Sequence, residues 1–208
     1  MSVTSSSTTS ISTGTLVNAV WPSSERRAQR IAILAVLALV GSLALTLSAK
    51  TQVPFWPVPM TMQTFVVLVI GLAYGWRLGA ATVILYLAEG ALGLPVFAGT
   101  PEKGIGLAYM MGPTGGFLIG FVVAAAVTGW LAERGFDRSM ATTALAMLAG
   151  NVVIYGFGVA WLASLIGFEK AVKFGVVPFL LSDAVKIALA ACLMPLAWKA
   201  VAALRGRA

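Results

Sequence analysis

The segment 178–198, PFLLSDAVKIALAACLMPLAW, decides the class to which this protein belongs. It has the composition of a membrane-spanning helix, yet it contains Asp183 and Lys186. Charges inside a membrane span are costly, and they persist where they face a protein interior or a water-filled cavity and have partners. A spacing of three places both side chains on one helix face, close enough to pair with each other or to share one ligand. The pattern predicts a site that binds or transports a small polar molecule.

The composition of the whole chain predicts an all-α integral membrane protein. Hydrophobic residues make up 59% of the sequence and charged residues 10%, whereas soluble domains carry about 25% charged residues. A bilayer-spanning helix takes about 20 apolar residues. Two of the candidate segments are short and are separated only by Gly75-Trp76-Arg77, so five or seven spans also remain open. We expect six transmembrane helices in one bundle, at about 31–49, 59–74, 78–93, 115–132, 141–166 and 177–198.

The distribution of basic residues predicts the orientation in the membrane. With six spans and the N-terminus inside, cytoplasmic segments hold nine Lys and Arg residues and external segments hold four, which places both termini in the cytoplasm. The net charge of +7 is then a topology signal, and we expect no nucleic-acid partner. Residues 1–22 form a Ser/Thr-rich stretch that we expect to be disordered, without the pattern of a signal peptide. Residues 23–208 form the membrane domain, with a helix start predicted near Trp21–Glu25.

The sequence lacks the residues that several kinds of catalysis and metal binding require. The chain has no His, which removes His-based acid–base catalysis. The single Cys192 provides neither a disulfide nor a thiolate metal cluster, and the Gly-x-x-x-x-Gly-Lys-Ser/Thr loop of P-loop ATPases is missing. We therefore expect no enzymatic activity, no cofactor and no metal, and a transporter built from this chain must obtain its energy elsewhere or run downhill.

The unusual polar residues of the spans cluster toward the predicted external half. Asp183 lies six residues, or about 9 Å, below the outer surface. Asn151 and Tyr155 share one face of the fifth span, and Glu89 lies near the outer end of the third. Structural alternatives remain open for each. Asp183 and Lys186 would then only fix helix packing, Asn151 would clamp two helices, Tyr155 would pack, and Glu89 would reach the membrane surface.

Two predicted external connections are rich in Pro and Gly. Residues 51–60 contain three prolines, which exclude a regular helix interior, and we expect a lid, an interfacial anchor or a rigid spacer. Residues 94–116 form a longer connection of the kind that is a functional lid or is disordered.

Four sequence blocks together resemble the BioY family, the biotin-specific substrate-binding (S) components of energy-coupling factor (ECF) transporters. The blocks are 58–65 (VPMTMQTF), 93–99 (GLPVFAG), 112–121 (GPTGGFLIGF) and 178–186 (PFLLSDAVK). The resemblance implies six membrane helices in a bacterial inner membrane and capture of biotin from outside. It also implies coupling to a transmembrane T component and to cytoplasmic ATPase subunits, a division of labour that fits the missing P-loop.

The resemblance also implies a substrate-binding site. Asp183 and Lys186 match the acidic–basic pair of the family's last helix, and Asn151 and Tyr155 match its Asn and Tyr in the fifth. The ureido ring of biotin offers two N–H donors and one carbonyl acceptor, so Asp183 would accept while Asn151 and Tyr155 complete the set. Lys186 would either neutralise the valerate carboxylate or hold Asp183 ionised.

The prediction also includes residues outside the fifth and last helices. Phe97 and Tyr109 would pack against the apolar part of biotin. Glu89 stands where many members of the family have an apolar residue, and we include it in the predicted site with its role open. Ala28 and Ala32, four residues apart on the first helix, would let the T component approach closely.

Other functions remain open on the sequence. One is an S component for another vitamin. A small intramembrane enzyme and a structural membrane subunit belong to different classes, and the missing nucleophile–base pair argues against the enzyme.

Overall fold

The computed structural model describes residues 14–20 and 27–205, which are almost entirely helical. A short hairpin of β1 (Gln52–Val53) and β2 (Met60–Thr61) pairs Gln52 with Thr61. A single 3-10 turn, Val177–Phe179, precedes the last helix. The helices are α1 (Leu16–Val20), α2 (Arg27–Lys50), α3 (Gln63–Ala91), α4 (Gly106–Met110), α5 (Gly115–Ala132), α6 (Met140–Ile166), α7 (Phe168–Gly175) and α8 (Leu180–Arg205).

The bundle has the features of a multi-pass membrane protein. Within the described ranges, five helical segments are long and apolar enough to cross a bilayer: α2, α3, α5, α6 and the α7–α8 segment. Apolar side chains also cover the outside of the bundle. On α2, for example, Val36, Leu39, Leu43 and Leu47 are each more than half exposed. A surface of this kind is stable only against lipid or a partner helix, because large exposed apolar patches are rare on soluble monomers.

Helix α3 is a hairpin of two helical legs and not one rod. Gly75 has a φ of +82° inside it, a conformation that glycine adopts without steric cost. The Gln63 amide donates to the Tyr86 hydroxyl at 2.8 Å, although 23 residues of continuous helix would separate the two by about 35 Å. The chain therefore reverses at Gly75. The legs, 63–74 and 76–91, correspond to the second and third apolar segments of the sequence prediction.

Glycines let neighbouring helices pack closely. A Cβ at Gly129 of α5 would lie 2.4 Å from the backbone of Trp76, so α5 rests directly on the turn of α3. A Cβ at Gly120 of α5 would lie 3.1 Å from the Cα of Ile154 in α6. Small residues at such crossings are typical of helix packing in membranes. The resulting core between α3, α5 and α6 contains fully buried side chains such as Leu68.

The N-terminal segment differs from the expectation. Residues 14–20 lie within the stretch 1–22 that we expected to be disordered, but they carry α1, whose Val17 and Ala19 are buried. Arg138 donates to the Gly14 carbonyl at 2.9 Å. The expectation is wrong for this part because Leu16–Val20 supplies an apolar face that the Ser/Thr-rich residues before it lack. The rest of the predicted tail, and the predicted helix start near Trp21–Glu25, lie outside the described residues.

Contacts define the two ends of the bundle. At one end, the backbone N–H of Trp76 donates to the Glu133 carboxylate at 3.3 Å. The indole N–H of Trp198 donates to the Asp137 carboxylate at 2.6 Å. The Arg138 guanidinium lies over the Trp198 ring, 3.5 Å from its centre. The α3 turn, the α5–α6 connection and the last part of α8 thus meet at the same end. The connections 51–62, 92–114 and 167–179 lie at the opposite end, where the candidate site is found.

Candidate functional site

A cavity opens at this second end, between the connections and the helices α3, α5, α6 and α8. The space between its walls measures about 570 Å³, with the open mouth included. Six aromatic side chains line it: Phe97, Tyr109, Phe117, Phe121, Tyr155 and Phe179. The polar side chains that line it are Thr61, Gln63, Thr64, Thr114, Asp183 and Lys186. The cavity is therefore suited to a ligand that is largely apolar and has a compact polar group.

The polar part of the cavity is centred on the Asp183 carboxylate. Lys186 Nζ lies 2.9 Å from its Oδ1, and the Tyr155 hydroxyl donates to its Oδ2. Lys186 also donates to the Thr64 hydroxyl at 2.8 Å. Both Asp183 and Lys186 are only 5% exposed. A buried charge pair of this kind is stable when hydrogen bonds satisfy its remaining polar atoms, and Tyr155 and Thr64 supply them.

The start of α8 explains where this pair lies. The helix begins at Leu180, so Asp183 falls in its first turn, where the positive end of the helix dipole favours a carboxylate. Lys186 follows one turn later on the same face. On the opposite face, Leu181 and Val185 are 79% and 63% exposed and would face lipid. One helix thus presents an ionic face to the cavity and an apolar face to the membrane.

The connection after α3 covers the cavity with Phe97, which is 1% exposed. Its ring stacks on Tyr109, with centroids 5.0 Å apart and planes at 17°. It also meets Tyr86 edge-on at 5.4 Å. A Cβ at Gly90 would lie 2.0 Å from the Phe97 ring, so this glycine leaves the space that the ring occupies. We call residues 94–104 the roof loop.

Side chains from the bundle fix the backbone of the roof loop. Tyr86 donates to the Val96 carbonyl at 3.0 Å and in turn accepts from Gln63, which lines the cavity. Tyr109 donates to the Ala98 carbonyl at 2.8 Å. Burial raises the pKa of the Tyr109 hydroxyl above its usual value, so it remains a protonated donor. Polar contacts therefore connect the cavity wall with the loop that covers it.

Five of the residues predicted for the site line this one cavity. They come from three distant parts of the chain: Phe97 and Tyr109 from the 92–114 connection, Tyr155 from α6, and Asp183 and Lys186 from α8. The sequence motifs that suggested them thus converge in space.

Asn151 and Glu89 are not among the residues that line the cavity. Asn151 is 5% exposed and lies one helical turn beyond Tyr155, toward the opposite end of the bundle. Its side chain makes no hydrogen bond with any part of the chain that the structure describes. Glu89 instead accepts a hydrogen bond from Ser42 of α2. The geometry therefore leaves Asn151 one helical turn from the cavity lining, and directs Glu89 toward α2.

The predicted partner surface lies elsewhere. Ala28 and Ala32 are exposed near the start of α2, at the end of the bundle opposite the cavity. The neighbouring Ile31 is 58% exposed, so no described helix covers this face.

The cavity also contains residues that the sequence interpretation did not assign to it. Gln63 and Thr64 line it at the start of α3. The sequence feature that could have identified them is a pair of polar residues at the beginning of an apolar segment. Phe117, Phe121 and Phe179 also line it. No pattern distinguished these three, because an aromatic residue in an apolar helix faces lipid as readily as a cavity.

Relatives of known description match most of the chain. The "Probable biotin transporter BioY" of Pyrococcus horikoshii is 38% identical over 164 residues, which cover 79% of this chain and 93% of the relative. The "Biotin transporter BioY" of Rhizobium etli is 38% identical over 170 residues, which cover 77% of this chain and 89% of the relative.

The fold has a solved counterpart. The crystal structure of the S-component for biotin from an ECF-type ABC transporter superposes with a TM-score of 0.70, at 23% identity. The match covers 84% of this chain and 95% of that one. The model of the BioY family matches residues 18–203. The chain therefore belongs to the BioY family.

Proposed function

We propose that this protein is the biotin-binding S component of an ECF-type vitamin uptake transporter. The observation that carries the proposal is the buried group of Asp183, Lys186 and Tyr155 inside an aromatic cavity. Biotin combines a compact polar ring system with an apolar chain, and the cavity offers a surface for each. The descriptions of the relatives as biotin transporters support the same ligand.

The proposed binding mode follows from the hydrogen-bonding capacity of each group. The ureido ring of biotin carries two N–H donors and one carbonyl acceptor. Asp183 would accept from an N–H, and Tyr155 and the otherwise unused amide of Asn151 would complete the set. Lys186 already contacts Asp183 at 2.9 Å and Thr64 at 2.8 Å. We therefore assign to Lys186 the role of pairing with the Asp183 carboxylate and holding it in position.

The apolar part of biotin would pack against the aromatic wall. Phe97 and Tyr109 cover the cavity as a stacked pair, and Phe117 and Phe179 line it. Burial of apolar ligand surface contributes about 25 cal/mol per Å², so this wall would provide much of the affinity while the ionic pair provides the selectivity.

We further propose six membrane crossings, with both termini in the cytoplasm of a bacterial cell, and one binding domain that comprises residues 23–208 together with α1, whose Val17 and Ala19 are buried. The reversal at Gly75 supports the count, because it divides α3 into two legs. Arg77, Arg134 and Arg138 lie at the end of the bundle opposite the cavity, which is consistent with a cytoplasmic position for basic residues. The cavity would then open to the outside.

Transport would depend on partner proteins. The sequence lacks a P-loop, so we assign ATP hydrolysis to cytoplasmic ATPase subunits and coupling to a T component, and no catalytic activity to this chain. The exposed Ala28 and Ala32 of α2 are the proposed contact surface for the T component. Their small side chains would allow close helix approach in lipid.

A ligand titration tests the proposal. The purified protein in detergent is titrated with biotin, desthiobiotin, riboflavin and thiamine, with intrinsic tryptophan fluorescence or calorimetry as the signal. We expect saturable binding of biotin and none of riboflavin or thiamine. A folded protein that does not bind biotin contradicts the assignment. Binding of another vitamin in its place would retain the S-component function and change its substrate.

A further inference from the structure

Lys50, the last residue of α2, connects that helix to the roof loop. Its ammonium group donates to the Phe97 carbonyl at 3.0 Å, to the Thr100 carbonyl at 2.8 Å and to the Thr100 hydroxyl at 2.9 Å. Phe97 and Thr100 are 1% and 6% exposed. The exposed Lys50 thus reaches from a helix end to acceptors on two buried residues, in partly buried hydrogen bonds that the charge of the donor strengthens.

The contact completes a set of three along the roof loop. The consecutive carbonyls of residues 96, 97 and 98 accept hydrogen bonds from Tyr86, Lys50 and Tyr109, respectively. The two tyrosines belong to elements that border the cavity. None of the described lining residues comes from α2, so Lys50 is the contribution of that helix to the site. Its bonds fix the backbone on both sides of the turn that directs the Phe97 ring inward.

We propose that Lys50 is a positioning residue that holds the roof loop closed over the bound ligand and thereby slows ligand dissociation. The proposal rests on the proposed function, because it takes the cavity to be the biotin site. Without the ammonium group, the Thr100 carbonyl loses its side-chain donor. The side-chain bonds at residues 96 and 98 then remain, together with the backbone bond from Leu94 to the Glu89 carbonyl at 3.1 Å. The Phe97 ring would then leave the cavity more often, although the Asp183 group beneath it is unchanged.

Two variants and a control isolate this role. Lys50→Met removes the charged donor and keeps the length of the side chain, whereas Lys50→Arg keeps charge and donors. Lys170→Met is the control, because Lys170 is exposed at the same end of the molecule and has no hydrogen bond or ion pair with any described residue. Equal folding of the variants is checked by thermal unfolding in detergent.

The first measurement is hydrogen–deuterium exchange of the roof loop without ligand. We expect faster exchange across residues 96–104 in Lys50→Met, and wild-type exchange in Lys170→Met and largely in Lys50→Arg. Unchanged exchange in Lys50→Met overturns the role of Lys50. This readout needs no ligand, so it tests the contact even if the protein proves not to bind biotin.

The second measurement is the biotin dissociation rate, with excess unlabelled biotin as the chase. We expect about tenfold faster dissociation in Lys50→Met, as for the loss of a hydrogen bond to a charged group, and recovery in Lys50→Arg. The association rate should change by less than about twofold, because changes within one site act mainly on dissociation. If wild-type protein binds biotin and Lys50→Met releases it at the wild-type rate, the proposal is wrong. If wild-type protein binds no biotin, the proposed function fails and the exchange experiment alone decides the role of Lys50.

Discussion

Lys186 Nζ lies 2.9 Å from Asp183 Oδ1, and both residues are 5% exposed, inside a helix whose opposite face is covered with apolar side chains. Tyr155 and Thr64 bind the same two side chains from α6 and α3. A pair that only fixed helix packing would need no cavity beside it. This pair lines one, so its polar atoms are available to a ligand as well as to each other.

Asp183→Asn should weaken biotin binding at least tenfold. The amide keeps the shape of the carboxylate but removes the charge that accepts the ureido N–H, and hydrogen bonds to charged groups contribute about 1.5–3 kcal/mol. Calorimetry with purified protein measures the change. Glu169→Gln is the control, since it neutralises an exposed carboxylate outside the cavity and should leave the affinity unchanged. Equal affinities of wild type and Asp183→Asn would contradict the proposed role.

A double variant separates binding from stability. Asp183→Asn alone leaves Lys186 as an uncompensated buried charge, and breaking a buried pair costs about 3–5 kcal/mol of unfolding free energy. Asp183→Asn combined with Lys186→Met removes both charges and should recover most of that stability without recovering biotin binding. Recovery of binding together with stability would show that the carboxylate serves the fold only.

Tyr155→Phe should lower the affinity for biotin by about tenfold, because it removes a donor to a charged acceptor. Tyr74→Phe is a matched control: the Tyr74 hydroxyl also bonds between helices, to the Leu37 carbonyl at 3.2 Å, but it does not line the cavity. Both variants lose one interhelical hydroxyl bond in a half-buried position, so thermal unfolding should show a loss of stability in both, larger for Tyr155→Phe because its acceptor is charged. Only Tyr155→Phe should lose affinity, and equal losses in both would argue against a specific role.

Substitution of Glu89 should leave biotin affinity nearly unchanged, in contrast to the substitutions of Asp183 and Tyr155. The sequence interpretation included it among the substrate-binding residues, whereas its carboxylate accepts from Ser42 of α2. From this contact we expect Glu89→Gln to change biotin affinity by less than about twofold and unfolding free energy by about 1 kcal/mol. Thr64→Val is the comparison, because it removes a hydroxyl that accepts from Lys186 inside the cavity. A large loss of affinity in Glu89→Gln would restore Glu89 to the site.

The sequence identified those residues whose energetic cost in a membrane can be judged without knowing their neighbours in the fold. A charge in an apolar segment is expensive wherever the helix lies, so Asp183 and Lys186 were identifiable from one segment alone. Part of the aromatic wall was not, because Phe117 and Phe121 suit lipid and cavity equally well. The contact of Glu89 has a related explanation: its position on the helix was known from the sequence, but the helix that packs beside it, α2, is a property of the tertiary structure.

The fold shows the same division between local and tertiary information. Hydropathy located the apolar segments, and Gly75 with its neighbours marked the break between the second and third. Hydropathy does not show that these two legs fold back on each other, because the reversal is a tertiary feature. The structure shows it in the contact between Gln63 and Tyr86. The helix α1 escaped prediction because five residues provide too short a pattern, and its contacts with the bundle determine its structure.

Substitution of two glycines by alanine tests the close packing of α5 against the turn of α3. A Cβ at Gly129 would lie 2.4 Å from the carbonyl carbon of Gly75 and from the nitrogen of Trp76, so backbone must move, at a cost of about 1–3 kcal/mol. Gly156, on α6, has no atom within 4 Å of the corresponding position, and Gly156→Ala should stabilise its helix by roughly 0.5–1 kcal/mol. Thermal unfolding in detergent should therefore give a lower midpoint for Gly129→Ala and an equal or higher one for Gly156→Ala. Equal shifts in both variants would show that α5 and the turn at Gly75 are not in direct contact, and the hairpin described for α3 would then need revision at that end.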